Sequence, residues 1–301
     1  MARQTLEEAF ATRRSGLWDL VERSFRYIRR LAYLKPTMVA GIVVILVLAI
    51  ISLAAPLLTS DSPRAIFMDD RLISPGAGQW FGTDEFGRDV YTRTLHGGRI
   101  SLMIGFTVAL ISMVLGAIIG SVTGYFRRAD AVIMRVVDGI MAIPQILLAI
   151  ALVAALGASI QNVIIALTIV ATPRMTRVAR ASVLSLREQA FVDAARSIGA
   201  GADRILLRHI IPNLLAPLVV MGTYITAESI LNEAYLSFIG AGVPPTTPSW
   251  GNIMASGRNL LQKAMWVILF PGLVLAIAVT AVNVAGDGLR DILDPKLARR
   301  Q

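Results

Sequence analysis

Residues 38–58 read MVAGIVVILVLAIISLAAPLL, a run without a single charged side chain. As a helix rising 1.5 Å per residue it is long enough to cross a hydrocarbon core of ~30 Å. Working outward, the pattern recurs. A second span is expected from about Ile100 to Phe126, closed by Arg127 and Arg128, and a third from Ala131 to Leu156. Residues 139–173 carry no charge at all, too long a stretch for one helix, and the polar turn Gly157–Asn162 divides it. The fourth span then has only about a dozen apolar residues before Arg174 and must continue past the membrane. A fifth is expected over Leu214–Ile239 and a sixth over Ala264–Ala285, where Pro271 and Gly272 mark a possible kink. The fold class expected is therefore all-α: a polytopic membrane protein with six transmembrane helices in one domain, residues 38–285.

Composition agrees. The 301 residues are 55% hydrophobic and only 16% charged, against roughly 25% charged in a soluble domain. Intrinsic disorder is excluded by the same figures. The net charge of +9 is scattered and does not form one solvated basic face, so nucleic acid is not an expected partner. With no cysteine and only His96 and His209, thiolate and histidine metal sites are not expected either. Residues 1–37 form a basic segment in which Leu17, Val21, Ser24, Ile28 and Leu31 recur at helical spacing. It reads as an amphipathic helix on the cytoplasmic membrane face, in contact with lipid, and as an uncleaved anchor. With that end inside, the segments 1–37, 127–135, 174–208 and 290–300 hold 22 of the 29 Lys and Arg, and the outer loops 59–99 and 240–263 hold seven. The bias places both termini in the cytoplasm and leaves 286–301 as a cytoplasmic tail.

No Gly-Lys pair exists, so this chain has no phosphate-binding loop of the GxxxxGK[ST] kind. Uphill transport driven by ATP would need another chain to hydrolyse it. No Gly-x-Ser-x-Gly elbow occurs, and no catalytic residues are expected. Ionisable groups at membrane depth are the remaining place for chemistry. Glu228, Asn232 and Glu233 lie on the fifth span, with Tyr224 one turn earlier. They either line a translocation path or make helix–helix and rim contacts, Glu228 being the deeper carboxylate. Arg174, Arg177 and Arg180, three apart, are expected to anchor on lipid headgroups in preference to a specific contact. Asp138 is expected to pair with Arg135, three residues before it. Gly105, Gly116, Gly120 and Gly124 suggest close helix packing.

The segment 185–213 is the most informative. Asp193-Ala194-Ala195-Arg196-Ser197-Ile198-Gly199 is followed, nine residues on, by His209-Ile210-Ile211-Pro212-Asn213. It reads as a short helix, a glycine corner and a second helix stopped or kinked at Pro212. Two alanines leave the first helix shallow enough for another protein to approach closely. The spacing alone leaves a docking element and an ordinary cytoplasmic loop both open.

This spacing resembles the EAA motif of ABC importer permeases, with Asp193 in place of Glu and His209 in place of the usual Ile. Three further blocks carry the resemblance across the chain from Pro36 onward. Gly82-Thr83-Asp84-Glu85-Phe86-Gly87-Arg88-Asp89 resembles the GTDxxGRD block of dipeptide and oligopeptide permeases. Pro244-Pro245-Thr246-Thr247-Pro248-Ser249-Trp250-Gly251 resembles their PPxTPxWG loop. Residues 286–297, GDGLRDILDPKL, resemble their C-terminal signature. The chain is similar to the C-type permease subunit of bacterial dipeptide, oligopeptide and nickel ABC importers, of the type I importer fold.

The resemblance implies a multi-pass protein of the bacterial inner membrane that pairs with a second, homologous permease to enclose one path. It implies two ABC ATPase subunits, which would hold ATP and Mg, while this chain binds no cofactor. An extracytoplasmic substrate-binding protein would meet the outer loops, and Asp193–Gly199 would be the coupling helix in an ATPase cleft. Substrates among dipeptides, longer peptides, glutathione-like compounds and nickel complexes all stay open. The competing class is a stand-alone secondary transporter or channel, against which the absence of an internal repeat and the projecting motif argue. A membrane assembly or enzyme subunit is a third.

Overall fold

Pro36 opens helix α1 (Pro36–Leu53) at a position where its missing N–H costs nothing. The computed structural model describes residues 35–293; the amphipathic helix expected before Lys35 lies outside the described residues, and of the tail expected over 286–301 residues 286–293 continue the last helix while the rest lies outside them. Pro56 begins a separate turn, Ala55–Leu58, so the first span is interrupted at Ala54.

Helix α2 (Val90–Tyr125) has 36 residues, a length of ~54 Å that exceeds the ~30 Å hydrocarbon core. It begins ten residues earlier than the sequence suggests. Asp89 supplies the reason: its carboxylate accepts the Tyr91 and Thr92 backbone N–H groups at 3.3 and 2.8 Å, capping the helix inside the expected outer loop.

The third span is corrected more strongly. Ala131–Leu156 is not one helix but two, α3 (Arg127–Met141) and α4 (Gln145–Leu156), bent by 90°. Pro144 lacks an N–H and disfavours helical backbone at Ile143, which ends α3 there. Helix α3 carries Arg127, Arg128, Asp130, Arg135 and Asp138 on a polar face, which cannot be turned to lipid tails.

Gly157 (φ +90°) makes the expected turn into α5 (Ile160–Leu186). Ser159 caps the Asn162 N–H at 3.1 Å, and the Asn162 side chain returns two donors to the Leu156 and Gly157 carbonyls. Beyond a short helix α6 (Ala190–Ser197) the chain runs without a break from Ala202 to Phe238, the last part being α7 (Ile211–Phe238). Helices α8 (Trp250–Gly257) and α9 (Trp266–Leu293) complete the described chain.

Close packing follows small residues. Gly116, Gly120 and Gly124 on α2 face Met175, Ala179 and Val183 on α5, both sets spaced by four. Ridges of that spacing interdigitate when one of them has no side chains, and a Cβ at any of the three glycines would collide with α5. Gly41 on α1 lies against the backbone of Ala281 and Ala285 on α9. Outward, Leu46, Ile50, Leu110, Ile118 and Leu273 are exposed, as lipid-facing side chains must be.

Among the described residues, α1, α2, Ala202–Phe238 and α9 are each long and apolar enough to cross a membrane, and the bent α3–α4 pair makes a fifth candidate. Helix α5 falls short of that apolarity because its second half carries three arginines. The all-α class stands, and the two β-bridges present are isolated.

Candidate functional site

The segment 185–213 is built on a glycine-terminated helix. At the end of α6 the Ala200 N–H donates to the Ala195 carbonyl at 3.0 Å and the Gly199 N–H to Arg196 at 2.9 Å, the paired bonds of a Schellman cap. Gly199 sits at φ +81°, and the space beside it is open. Glycine is needed there for its backbone conformation, not for room.

Helix α6 shows one face to its own chain. Val192 is fully buried and Ala195 is 6% exposed, both inside the main apolar core with Ile205 and Ile210. Asp193, Ala194, Arg196, Ser197 and Ile198 face outward, and Ile198 is 86% exposed. The two alanines that the sequence reading takes together are thus on different faces. Ala195 lets α6 lie close on its own bundle, and Ala194 alone is on the free side. The segment is also better supported than its sequence suggests: the Arg187 guanidinium donates to the Gly124 carbonyl at 3.1 Å, and Arg196 lies 6.0 Å from the Tyr125 ring centre.

Pro212 neither stops nor sharply breaks the second helix. A single π turn over Leu206–Ile210 precedes it, the local adjustment by which a continuous helix accommodates the donor that Pro212 lacks. His209 is half-buried in that turn, its ring 6.3 Å from Phe191, and its carbonyl accepts the Asn213 side chain at 2.6 Å.

The three arginines of α5 are not left to lipid, as expected from sequence. Arg174 pairs with Glu228 at 2.6 Å, Arg177 with Asp138 at 2.6 Å, and Arg180 with Asp130 through two bonds of 2.5 and 2.7 Å. Asp138 therefore turns to α5 and not to Arg135. One helix edge is tied to α7 at one position and to α3 at two. Glu228 and Glu233 part company as well. Glu233 is fully buried and accepts the hydroxyls of Ser101 and Ser237, each at 2.8 Å, while Asn232 is half-buried beside it.

At the opposite end the two loops that carry the GTDxxGRD-like and PPxTPxWG-like blocks are brought together. Asp84, fully buried, accepts the Phe86 and Arg88 backbone N–H groups, the Arg88 side chain at 2.7 Å and the Arg93 guanidinium at 2.5 Å. Thr83 donates to the Asp70 carbonyl and accepts the Ile73 N–H. Gly82 and Gly87 have φ near +70°, and a Cβ at Gly87 would strike the Phe67 carbonyl. In the second block Pro248 leads into Ser249, which caps α8, and Trp250 is fully buried with its indole N–H on the Thr94 carbonyl at 3.0 Å. Arg64 reaches the Thr246 carbonyl at 3.1 Å and joins the two loops. These residues hold an ordered cap over the bundle.

A cavity of about 720 Å³ opens between α5, α7 and α9. Arg174, Tyr224, Asn283, Asp287 and Arg290 supply its polar groups, and the rest of the wall is mostly apolar. Sequence reasoning placed Asp287 and Arg290 only in a signature; their position three apart at the end of the last span was the available signal. No metal-binding cluster exists among the described residues.

Residues 112–299 match the family described as binding-protein-dependent transport system inner membrane component. A Brucella suis protein is 51% identical over 257 residues, 85% of this chain and 87% of its own length. The dipeptide transport system permease protein of Alkalihalophilus pseudofirmus is 43% identical over 86% of each chain. The di/tripeptide transport system permease protein of Pseudomonas aeruginosa is 41% identical over 85% of this chain and 87% of its own. An inward-facing structure of the MetNI methionine ABC transporter aligns with 67% of this chain and 96% of its own at a TM-score of 0.54 and 21% identity.

Proposed function

The chain belongs to the binding-protein-dependent transport system inner membrane components, and on that footing we propose that it is one permease subunit of an ABC importer for short peptides. A second, homologous permease completes the path. Two ATPase subunits carrying ATP and Mg dock on the face of α6 formed by Asp193, Ala194, Ser197 and Ile198, and a substrate-binding protein delivers cargo to the cap of residues 59–99 and 240–263. The chain spans the inner membrane six times with both termini inside, α5 contributing the sixth crossing with its arginines neutralised by carboxylates of neighbouring helices. It catalyses nothing itself; ATP bound to the partners favours one bundle arrangement over the other by its differential affinity.

The observation that carries this reading is α6: a helix buried on one side, bare on the other and ended by a glycine cap, so that a partner meets a rigid shape and not a mobile loop. Affinity purification of this chain from its native membrane, followed by mass spectrometry, is the test. ATPase subunits and a second permease are expected in stoichiometric amounts, with ATP-dependent uptake after reconstitution. Transport by the chain alone would instead establish a secondary transporter. Orientation is tested with single cysteines in this cysteine-free chain. An impermeant maleimide is expected to reach Ser74→Cys and Thr247→Cys from outside, and Ser197→Cys only after the membrane is opened.

A further inference from the structure

Asp287 and Arg290 stand three residues apart on α9, both on the wall of the cavity between α5, α7 and α9. Among the described residues neither has an ion-pair partner, whereas the nearby Asp291 is held by Lys35 at 2.7 Å. Their direction is set by glycines on either side: Gly286 lies against Thr223 and Gly288 against Met38, so a Cβ at either position would collide with α7 or α1. Helix α9 therefore cannot turn the two charges out of the wall without losing both contacts.

Side chains at this spacing have Cβ atoms ~5–6 Å apart. An extended dipeptide measures ~7 Å from end to end, so its ammonium can meet a carboxylate while its carboxylate meets a guanidinium. Arginine is the side chain suited to the second contact, because its planar fork matches a carboxylate with two parallel bonds. Asn283 offers amide donor and acceptor groups for the peptide bond, and Val220 and Met221 supply apolar wall for side chains. The volume, about 720 Å³, lies within the ~300–1,000 Å³ typical of small-molecule sites.

We propose that this cavity is a transit site for a zwitterionic di- or tripeptide, with Asp287 receiving its ammonium end and Arg290 its carboxylate. The inference rests on the peptide-importer reading above and adds to it a selection for free termini within the membrane chain itself. The site is open on one side, so occupancy is brief and affinity low.

The Ala216→Cys variant places a thiol on the cavity wall of a chain that has no other. Maleimide modification of that thiol is timed in the assembled permease–ATPase complex, without binding protein. Alanyl-leucine at about twice its Kd is expected to slow modification about threefold. N-acetyl-alanyl-leucine amide is expected to give no protection, and neither Asp287→Asn nor Arg290→Gln is expected to retain it. Should Arg290→Gln fail to assemble, Arg290→Lys keeps the charge and loses the fork, and an intermediate slowing is expected. Protection by the capped compound equal to that by the free one would overturn the proposal, as would full protection in either neutralised variant or in Arg290→Lys. Equal protection by phosphoethanolamine would identify a lipid-headgroup site in its place, and no protection by alanyl-leucine would remove the site altogether. ATPase retention and ATP-driven uptake, measured on the same preparation, report on the importer reading separately.

Discussion

Arg174 on α5 and Glu228 on α7 are joined at 2.6 Å, with the guanidinium 5.5 Å from the ring centre of Tyr224. Both side chains are about a quarter exposed, so the pair sits neither in bulk solvent nor sealed in the core. It ties the helix entering the segment 185–213 to the helix leaving it. The cavity wall includes Arg174 and Tyr224, so the state of this tie is felt where cargo is expected to pass.

Reversal of one charge is expected to be worse than reversal of both. Glu228→Arg would set two guanidinium groups together at membrane depth and cost about 1–3 kcal/mol. Arg174→Glu combined with Glu228→Arg restores the attraction with a changed geometry, and more than half the loss is expected to return. Thermal unfolding of the detergent-solubilised complex measures the cycle. Equal destabilisation of the single and double variants would show that the pair does not couple the two helices.

The two alanines of α6 are expected to respond differently. Ala194→Trp adds bulk on the free face, leaves the chain's own stability within experimental error and weakens ATPase attachment about tenfold, or about 1.4 kcal/mol. Ala195→Trp drives bulk into a packed core and is expected to cost the chain about 1–3 kcal/mol before any partner is involved. Thermal stability of the permease pair without ATPases, compared with ATPase affinity, separates the two. Equal ATPase loss without destabilisation in both would contradict the buried placement of Ala195.

Gly199 offers a backbone test. No neighbour lies within 4 Å of a Cβ built there, yet φ is +81°. A β-branched side chain is strained by the conformation alone, by about 1–2 kcal/mol, whereas Asn tolerates it better. Gly199→Val is expected to uncouple ATP hydrolysis from uptake in reconstituted complexes while membrane insertion is unchanged, and Gly199→Asn to retain much of the coupling. Full coupling in Gly199→Val would show that the cap does not fix the docking face.

Four of the expected lipid-crossing runs, those in α1, α2, α7 and α9, were legible because hydropathy over twenty residues needs no tertiary information, and the glycine corner was legible because Gly199 follows a helical pattern directly. What escaped the sequence depended on partners distant in the chain. Arg180 finds Asp130 fifty residues away and Arg174 finds Glu228 fifty-four away, so three arginines that looked like lipid anchors are ion-pair members. The face of Ala195 could not be read from an eight-residue helix whose apolar and small residues lie on both sides. The start of α2 was hidden because Asp89 caps a helix whose first turns, with Arg93, His96 and Arg99, look like a polar loop by composition. Pro144 was visible, but a proline in an apolar run kinks some helices and ends others, and only the polar face of α3 decides which.

Asp84 is the group on which the outer cap depends most. It is fully buried and joined to Arg93, whose side chain is 3% exposed, and to Arg88, at 15%. Asp84→Ala removes the only carboxylate contacting Arg93 among the described residues and leaves a guanidinium buried without compensation, which typically costs about 3–5 kcal/mol. Arg88→Gln removes a more exposed partner and leaves the Asp84–Arg93 pair in place, so a cost nearer 1 kcal/mol is expected. Among the described residues the cap makes no side-chain hydrogen bond or ion pair to the segment 185–213, so on the importer reading both variants are expected to retain their ATPases when they fold. Proteolysis at the outer loops of the intact complex, together with its thermal midpoint, is the measurement: Asp84→Ala is expected to open residues 59–89 to cleavage while Arg88→Gln stays protected. Comparable protection in both would mean that the loop is held by the Thr83 and Trp266 contacts without the buried charges.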